Sequence, residues 1–179
     1  MLLPVVLLGC KGPDQSWMPM AVGKSWTYVV VIRGEFSRID VRVERSIAVG
    51  DASGFELRSS LGTSRFAWFG GKLITTELAG ARVSPPLPIL DPSAKEVSWT
   101  GYVNTLGKAE KAEATIKIEK TKLSDGLRTK DTLHSTVKVS LPGREVTLDT
   151  WFRSGVGIVR QEQRTGSDLD FSLNLKTNR

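Results

Sequence analysis

From Ser25 onward, apolar and polar residues alternate in short segments separated by glycine-containing turns. The clearest segment runs over 38–49, where Ile39, Val41 and Val43 alternate with charged residues. A period of two places successive side chains on opposite faces of a β-strand, one toward a core and one toward water. Four later segments repeat the pattern: Ala114-Ile116-Ile118, Val137-Val139-Leu141, Val146-Leu148-Phe152 and Leu169-Phe171-Leu173-Leu175. The alternation predicts an all-β antiparallel domain.

Turn-forming pairs lie between the alternating segments: Gly70-Gly71, Asp125-Gly126, Pro142-Gly143 and Gly166-Ser167. Glycine adopts positive φ and proline fixes φ at the first corner of a turn, so each pair predicts a hairpin. An unbroken strand over 38–49 would span roughly 40 Å, and a strand of that length in a twisted sheet must coil. We therefore predict a strongly curved antiparallel sheet or incomplete barrel of about 9–11 strands in meander order.

Two stretches interrupt the alternation. Residues 84–92 contain four prolines, and proline donates no ladder hydrogen bond, so we predict a Pro-rich connection over 84–94 between two halves of the sheet. This connection either packs its apolar residues across the sheet or forms an exposed linker. Residues 108–114 consist of strong helix formers. We predict a strand there, although the composition also fits a helical turn.

An apolar run, Met1 to Gly9, precedes Cys10, the one cysteine of the sequence. It is too short to span a bilayer and fits the apolar region of a secretory signal peptide. Leu7-Leu8-Gly9-Cys10 resembles the lipobox of bacterial lipoproteins. The resemblance implies cleavage after Gly9 and anchoring through acyl chains on Cys10. The basic region that opens a signal peptide is missing, since no Lys or Arg precedes Cys10, and a truncated or misassigned start codon would explain this departure. The alternative is a buried first strand over 2–8, with Cys10 as a core thiol.

These features predict a signal peptide at 1–9, a lipidated tether at 10–22 and a single β domain at 23–179. A length of 179 residues suits one domain. The expected location is extracytoplasmic and membrane-anchored. Lys11 follows the cysteine in place of the aspartate that retains lipoproteins at the inner membrane in enterobacteria-like sorting. The outer membrane or cell surface is therefore the expected destination in a host with two membranes.

Two further motifs resemble those of β-rich bacterial lipoproteins of unknown function. Gly23-Lys24-Ser25-Trp26-Thr27-Tyr28 is similar to their opening strand, and the segment 151–160, Trp-Phe-Arg-Ser-Gly-Val-Gly-Ile-Val-Arg, is similar to a late hairpin. Trp99-Thr100-Gly101-Tyr102 falls where such proteins carry a middle aromatic strand. The resemblance implies a secreted all-β domain and supplies no activity.

We identify no catalytic residue, metal site or cofactor site in the sequence, and we predict that the protein is not an enzyme. His134 is the one histidine, and a surface or satisfied core role is expected for it. An envelope hydrolase would need paired carboxylates. The candidates are expected instead to face solvent beside Lys or Arg: Asp131, Glu145, Asp149, Asp168 and Asp170.

The most distinctive feature of the composition is the presence of five tryptophans. They either fill the core of a coiled sheet or help to line an apolar cavity, and Trp17 in the tether is expected to be exposed. The candidate ligand surface consists of Trp26, Tyr28, Trp68, Trp99, Tyr102 and Trp151.

Long amphipathic strands and these aromatic residues favour a non-enzymatic envelope lipoprotein that binds an apolar or amphiphilic ligand on its curved sheet. The alternative is a structural or interaction module for protein or anionic glycan partners, which the net charge of +6 would favour. The expected partners are the membrane, through acyl chains on Cys10, and a lipid, glycan or envelope protein. Nucleic acid is not expected, because acidic residues are interleaved with the basic ones. The sequence does not predict the oligomeric state.

Overall fold

The computed structural model describes residues 13–124 and 129–176, within which the chain forms one short 3₁₀ helix and twelve β-strands. The prediction of an all-β domain is confirmed, and the stretch 108–114 is strand. The helix is Pro13–Trp17, and the strands are β1 Ser25–Ile32, β2 Glu35–Val49, β3 Ala52–Ser59, β4 Gly62–Phe69, β5 Lys72–Leu78, β6 Ala81–Leu90, β7 Glu96–Thr105, β8 Lys108–Ser124, β9 Thr129–Leu141, β10 Arg144–Arg153, β11 Gly157–Thr165 and β12 Asp168–Leu175.

The strands form a closed antiparallel barrel in meander order. Each strand pairs with its neighbours in the chain, and β1 pairs with β12 from Tyr28 opposite Leu175 to Ile32 opposite Phe171. The predicted meander is confirmed. The described residues form a closed barrel of twelve strands rather than an incomplete barrel of 9–11, because the first and last strands pair and the Pro-rich stretch is itself a strand.

The predicted long strand over 38–49 lies within β2, which bends at a register shift between Val43 and Arg45. Beyond this bulge, Val49 and Ala52 of the β2–β3 hairpin pack against the outside of β4 and β5. A small buried cluster, separate from the main core, results from this packing: Val49, Ala52, Ala67 and Ile74. The bulge therefore bends this strand of fifteen residues and increases its local twist.

The Pro-rich stretch was predicted as a connection over 84–94, and this is wrong for 84–90, which belong to β6. The described pairing of β6 with β7 ends at Ser84, opposite Tyr102. Beyond that point β6 still pairs with β5, where Leu87 is opposite Thr75 and Pro88 is opposite Ile74. A strand with one partner tolerates residues that lack an N–H donor. The connection itself is confined to 91–95.

The hairpin turns lie at two opposite ends of the barrel. We call the end that carries the turns after β1, β3, β5, β7, β9 and β11 the open end, and the other the closed end. Residues 13–22, predicted as a tether, pack against the closed end. There the Gly155 N–H donates to the Ser16 carbonyl (2.7 Å), and the indole N–H of Trp68 donates to the Met18 carbonyl (3.2 Å). Trp17, expected to be exposed, is partly buried against the core.

The lipobox, Cys10 and the Asp125-Gly126 turn lie outside the described residues, so the predictions made for them stay predictions. Over 13–124 and 129–176, no helix combines the length and the apolar character needed to cross a membrane.

Candidate functional site

Inward-facing side chains change from buried to half-buried along the barrel. In β9, which runs from the closed to the open end, Leu133, Ser135 and Val137 are 3%, 0% and 2% exposed. Val139 and Leu141, the next two inward-facing residues, are half-buried although they face the barrel axis. Strand β10 repeats the change in the opposite direction. The closed half is therefore packed by its own side chains, and the open half is hollow.

A cavity of about 390 Å³ occupies this hollow half. That volume lies within the range of sites for small organic ligands, about 300–1,000 Å³. Met18 and Trp26 lie at its inner end, near the closed half, and it extends to the turns of the open end. Most of its wall is apolar: Ile39, Val41, Leu57, Phe66, Leu78, Val83, Leu87, Val103, Val137, Val139, Leu141, Val146, Leu148, Ile158, Phe171 and Leu173.

Polar groups in the deeper wall are bonded to the barrel itself. The Tyr28 hydroxyl donates to the Ile158 carbonyl at 2.9 Å, and burial raises the pKa of this phenol. The Thr75 hydroxyl contacts the carbonyl of Glu77 at 2.9 Å. Because these hydroxyls are already bonded, the deep wall offers an entering ligand mainly apolar contacts.

Charged and amide side chains border the cavity near the open end. Arg144 is the first residue of β10, and its Nη2 lies 2.5 Å from Oε2 of Glu110. Lys108 Nζ donates to the other oxygen of Glu110 at 3.2 Å. Hydrogen bonds from Arg144 and Lys108 lower the pKa of this carboxyl group. On β11, the strand beside β10, Gln163 Nε2 donates to Asp170.

The structure brings some of the predicted aromatic residues to the cavity. Trp26 and Tyr28 lie two positions apart on β1, so both face inward and line it. The Trp26 indole N–H donates to the Val156 carbonyl at 2.7 Å, which fixes the ring at the inner end. Trp68 lies farther toward the closed end, beside Met18 and Met20. It packs residues 13–22 against the barrel and does not line the main cavity.

The other predicted aromatic residues lie elsewhere. Trp99 is buried, and its indole N–H donates to the Pro85 carbonyl at 3.2 Å. Tyr102 is three positions further along β7, faces outward and is 57% exposed. Trp151 is on the outer face, between the ring of His134 (centroids 4.3 Å apart) and the guanidinium of Arg160, 4.9 Å from the ring centroid. The six predicted residues therefore do not form one surface.

The outer face around Trp151 also holds the histidine and the best-connected candidate carboxylate. His134 Nε2 donates to Asp149 at 2.9 Å, and the Thr136 hydroxyl donates to the same carboxylate oxygen at 2.7 Å. Arg164 binds the other oxygen at 3.0 Å. The Thr136 hydroxyl thus donates to the carboxylate and not to the histidine, so the histidine does not withdraw its proton as a base does in an activated nucleophile. The arrangement orders the surface of the sheet.

Sequence reasoning missed the polar residues of the open end, above all Arg144, Gln163 and Thr165. A signal was present in β11, where Gln161, Gln163 and Thr165 occupy the inward positions and the outward positions are also polar. A strand that is polar on both faces does not fit a solid apolar core.

Comparison with solved structures finds a similar fold at a TM-score above 0.5 and a weaker similarity to a second protein. A putative lipoprotein from Parabacteroides distasonis is similar at a TM-score of 0.51 and 12% identity over 87% of this chain and 94% of that one. The hypothetical lipoprotein YmcC from Escherichia coli is similar at a TM-score of 0.45 and 12% identity over 89% and 90%. No protein-family model and no curated protein sequence matches the chain significantly. At 12% identity, the likeness to the Parabacteroides distasonis protein shows the fold alone.

Proposed function

We propose that this chain is a non-enzymatic lipoprotein of the cell envelope that binds an apolar or amphiphilic ligand inside its barrel. One observation carries the proposal: the open half of the barrel is a cavity of about 390 Å³ with a largely apolar wall. Empty apolar space forfeits the packing that stabilises a core. A barrel that leaves its open half hollow is therefore suited to take up a ligand there.

The proposed lipid anchor at Cys10 would lie near the closed end of the barrel, away from the end where the cavity opens. Cys10 is three residues before Pro13, so their Cα atoms are at most about 11 Å apart. Residues 13–22 pack against the closed end, as the Ser16 and Met18 contacts show. Acyl chains on Cys10 would thus hold the closed end at the membrane and leave the open end facing away from it. The Parabacteroides distasonis protein of the same fold is described as a putative lipoprotein, which supports this assignment.

Ligand binding can be tested with the neutral apolar probe N-phenyl-1-naphthylamine, whose fluorescence rises in apolar surroundings. Val139 faces the cavity, and its neighbour Lys138 faces outward, 3.9 Å from Glu145. Val139→Trp fills part of the cavity, and Lys138→Trp adds the same side chain outside it. We expect saturable binding that Val139→Trp weakens and Lys138→Trp leaves unchanged, with thermal unfolding as a check on folding. Absence of binding, or equal effects of the two variants, would overturn the proposal.

The anchor is tested separately by intact mass and membrane fractionation in a bacterial host. The wild type is expected to gain the mass of acyl groups and to partition with membranes, and Cys10→Ala is expected to lose both properties. A soluble, full-length, unmodified product from a confirmed start codon would refute the lipoprotein assignment while leaving the cavity test unaffected.

A second candidate function, binding of anionic glycans, is favoured by the outer face of β2–β6. There two carboxylates, 2% and 6% exposed, are surrounded by arginines. Glu56 pairs with Arg45 at 3.1 Å and with Arg65 at 3.2 Å, and Glu77 pairs with Arg65 at 3.3 Å and Arg82 at 3.8 Å. The carboxylates orient the guanidinium groups and leave the surface positive.

Arg42 and Arg58 add to this surface as direct cross-strand neighbours. Like charges opposite one another destabilise a sheet unless an anion lies between them. Retention on immobilised heparin should decrease with salt and with Arg42→Gln, and the outward-facing Lys117→Gln on β8 serves as a charge-matched control. Retention that is insensitive to salt or equally affected by both variants would exclude this candidate.

A further inference from the structure

We infer that the ligand of the cavity is a single-chain amphiphile with an anionic head group, and that Arg144 binds this head group at the open end. The inference rests on the proposed function, because it identifies the class of ligand for the same cavity. It is carried by the distribution of polarity and charge along the cavity wall.

The wall becomes polar toward the open end. Around Trp26 and Ile158 the surroundings are apolar, and the Tyr28 hydroxyl there is already bonded. Apart from Tyr28, Thr75 and Gln161, which are already bonded within the barrel, the hydroxyl and amide side chains that line the cavity lie near the turns of the open end: Ser59, Ser64, Thr105, Gln163 and Thr165. This arrangement suits a molecule that is apolar over most of its length and polar at the end left near solvent.

The charge of the wall has one sign. Among the described residues that line the cavity, the charged ones are Arg58 and Arg144, and none is acidic. Arg58 follows the inward-facing Leu57, and its guanidinium lies 3.7 Å from Glu56 on the outer side of the sheet. Arg144 shares the inward face of β10 with Val146 and Leu148, so it is the cation that a ligand in the cavity can reach.

Arg144 is also held in place. Glu110 binds it at 2.5 Å, and the side chain of Glu110 is 10% exposed, whereas that of Arg144 is 39% exposed. Lys108 pairs with the same carboxylate at 3.2 Å, which leaves a cluster of two cations and one anion. A guanidinium fixed by one carboxylate keeps further N–H donors in a planar fork suited to a second carboxylate or a phosphate.

An anionic head group could be a carboxylate, as in a fatty acid, or a phosphate, as in a monoacyl phospholipid. Both present at least two acceptor oxygens to the guanidinium N–H groups, so both would bind Arg144 in the same way. Asp170 lies on β12, two strands from Arg144 on the side away from Glu110, where it accepts hydrogen bonds from Gln163 at 3.2 Å and Thr165 at 2.8 Å. A cationic head group would be drawn to that side, so the two signs of charge make opposite predictions.

The test measures binding of four dodecyl compounds by calorimetry at neutral pH, each below its micellar concentration or its solubility limit. They share one chain and differ in head group: dodecanoate, dodecyl phosphate, neutral dodecanol and cationic dodecyltrimethylammonium. Arg144→Gln is expected to weaken the binding of the two anionic compounds by at least about tenfold, because a charge-assisted hydrogen bond is lost. The same variant should leave the affinity for dodecanol unchanged. Arg144→Lys should retain part of the affinity for the anionic compounds that Arg144→Gln loses.

Arg82→Gln is the matched control, since this arginine is near the same end but pairs with Glu77 on the outer face. An equal effect of Arg144→Gln on dodecanoate and dodecanol, or the tightest binding for the cationic compound, would overturn the inference while leaving the proposed function intact. Failure of all four compounds to bind wild type would instead refute the proposed function. The tighter of the two anionic compounds identifies carboxylate or phosphate as the preferred head group.

Discussion

The indole ring of Trp99 lies against the α-carbon of Gly101, so closely that a Cβ atom on Gly101 would be 2.5 Å from Cζ2 of the ring. The same Cβ would be 2.4 Å from the Ser84 carbonyl oxygen and 2.8 Å from Cδ of Pro85. Gly101 thus lets β6 and the tryptophan approach β7 on its inward face, where the two strands stop pairing.

Gly101→Ala is therefore expected to destabilise the barrel by about 1–3 kcal/mol, because neither the carbonyl nor the ring can move without disturbing the core. Urea unfolding followed by tryptophan fluorescence measures the change. Thr100→Ala, at the exposed neighbouring position, is the control. A stable Gly101→Ala variant would show that the contact is not close in solution.

Period-two alternation predicted most strands because it depends on neighbouring residues alone. The same rule shows why Trp99 and Tyr102 cannot share a surface: an odd separation puts them on opposite faces of β7. The predicted ligand surface grouped aromatic residues without regard to their parity along each strand. Trp26 and Tyr28, at an even separation, do face the cavity together.

Other features could not be predicted from local pattern. Closure requires β1 to pair with β12, more than a hundred residues away. Residues 13–22 cover one end of the barrel and leave the other open, through contacts with β4 and with the turn between β10 and β11. Arg144 looks like an ordinary turn residue after Pro142-Gly143. Only the inward register of β10 assigns it to the cavity.

Leu106 occupies a turn position that its side chain does not favour. It has φ of 52° in the two-residue β7–β8 turn, is followed by Gly107 at 83°, and is fully exposed. Positive φ at both positions is the type I′ geometry, in which Asn-Gly is preferred. Leu106→Asn should therefore raise stability by about 0.5–1 kcal/mol. Thermal unfolding should show a higher midpoint for Leu106→Asn and little change for Leu106→Ala, which retains the strain. Equal midpoints for all three proteins would contradict the turn assignment.

Glu56 should make stability depend on acidic pH. Hydrogen bonds from Arg45 and then from Arg65 lower the pKa of this carboxyl, against the opposing effect of burial. A carboxyl whose pKa is lower in the folded state stabilises the protein above its unfolded pKa. That contribution is lost as the pH falls through the folded value. As the pH is lowered below the ordinary pKa of a carboxyl group, the thermal unfolding midpoint of wild type should therefore decrease. It should decrease more steeply than the midpoint of Glu56→Gln. Glu113→Gln, which alters an exposed carboxylate, should retain the wild-type slope. Parallel curves for wild type and Glu56→Gln would rule out this role.

Tyr28 should resist ionisation as long as the barrel is folded. Its hydroxyl is buried at the cavity wall and bonded to the Ile158 carbonyl, and burial raises its pKa above the ordinary value of 10.0. The unfolded chain ionises at the ordinary value, so stability from this group is complete below it and is lost as the pH rises toward the folded pKa. The sequence has two tyrosines, and Tyr102→Phe leaves Tyr28 as the sole reporter. In that variant the tyrosinate absorbance should rise only together with the loss of circular dichroism at alkaline pH. Absorbance that rises while the β-sheet signal is intact would place the Tyr28 hydroxyl in contact with water, and the inner end of the cavity would then be open to solvent.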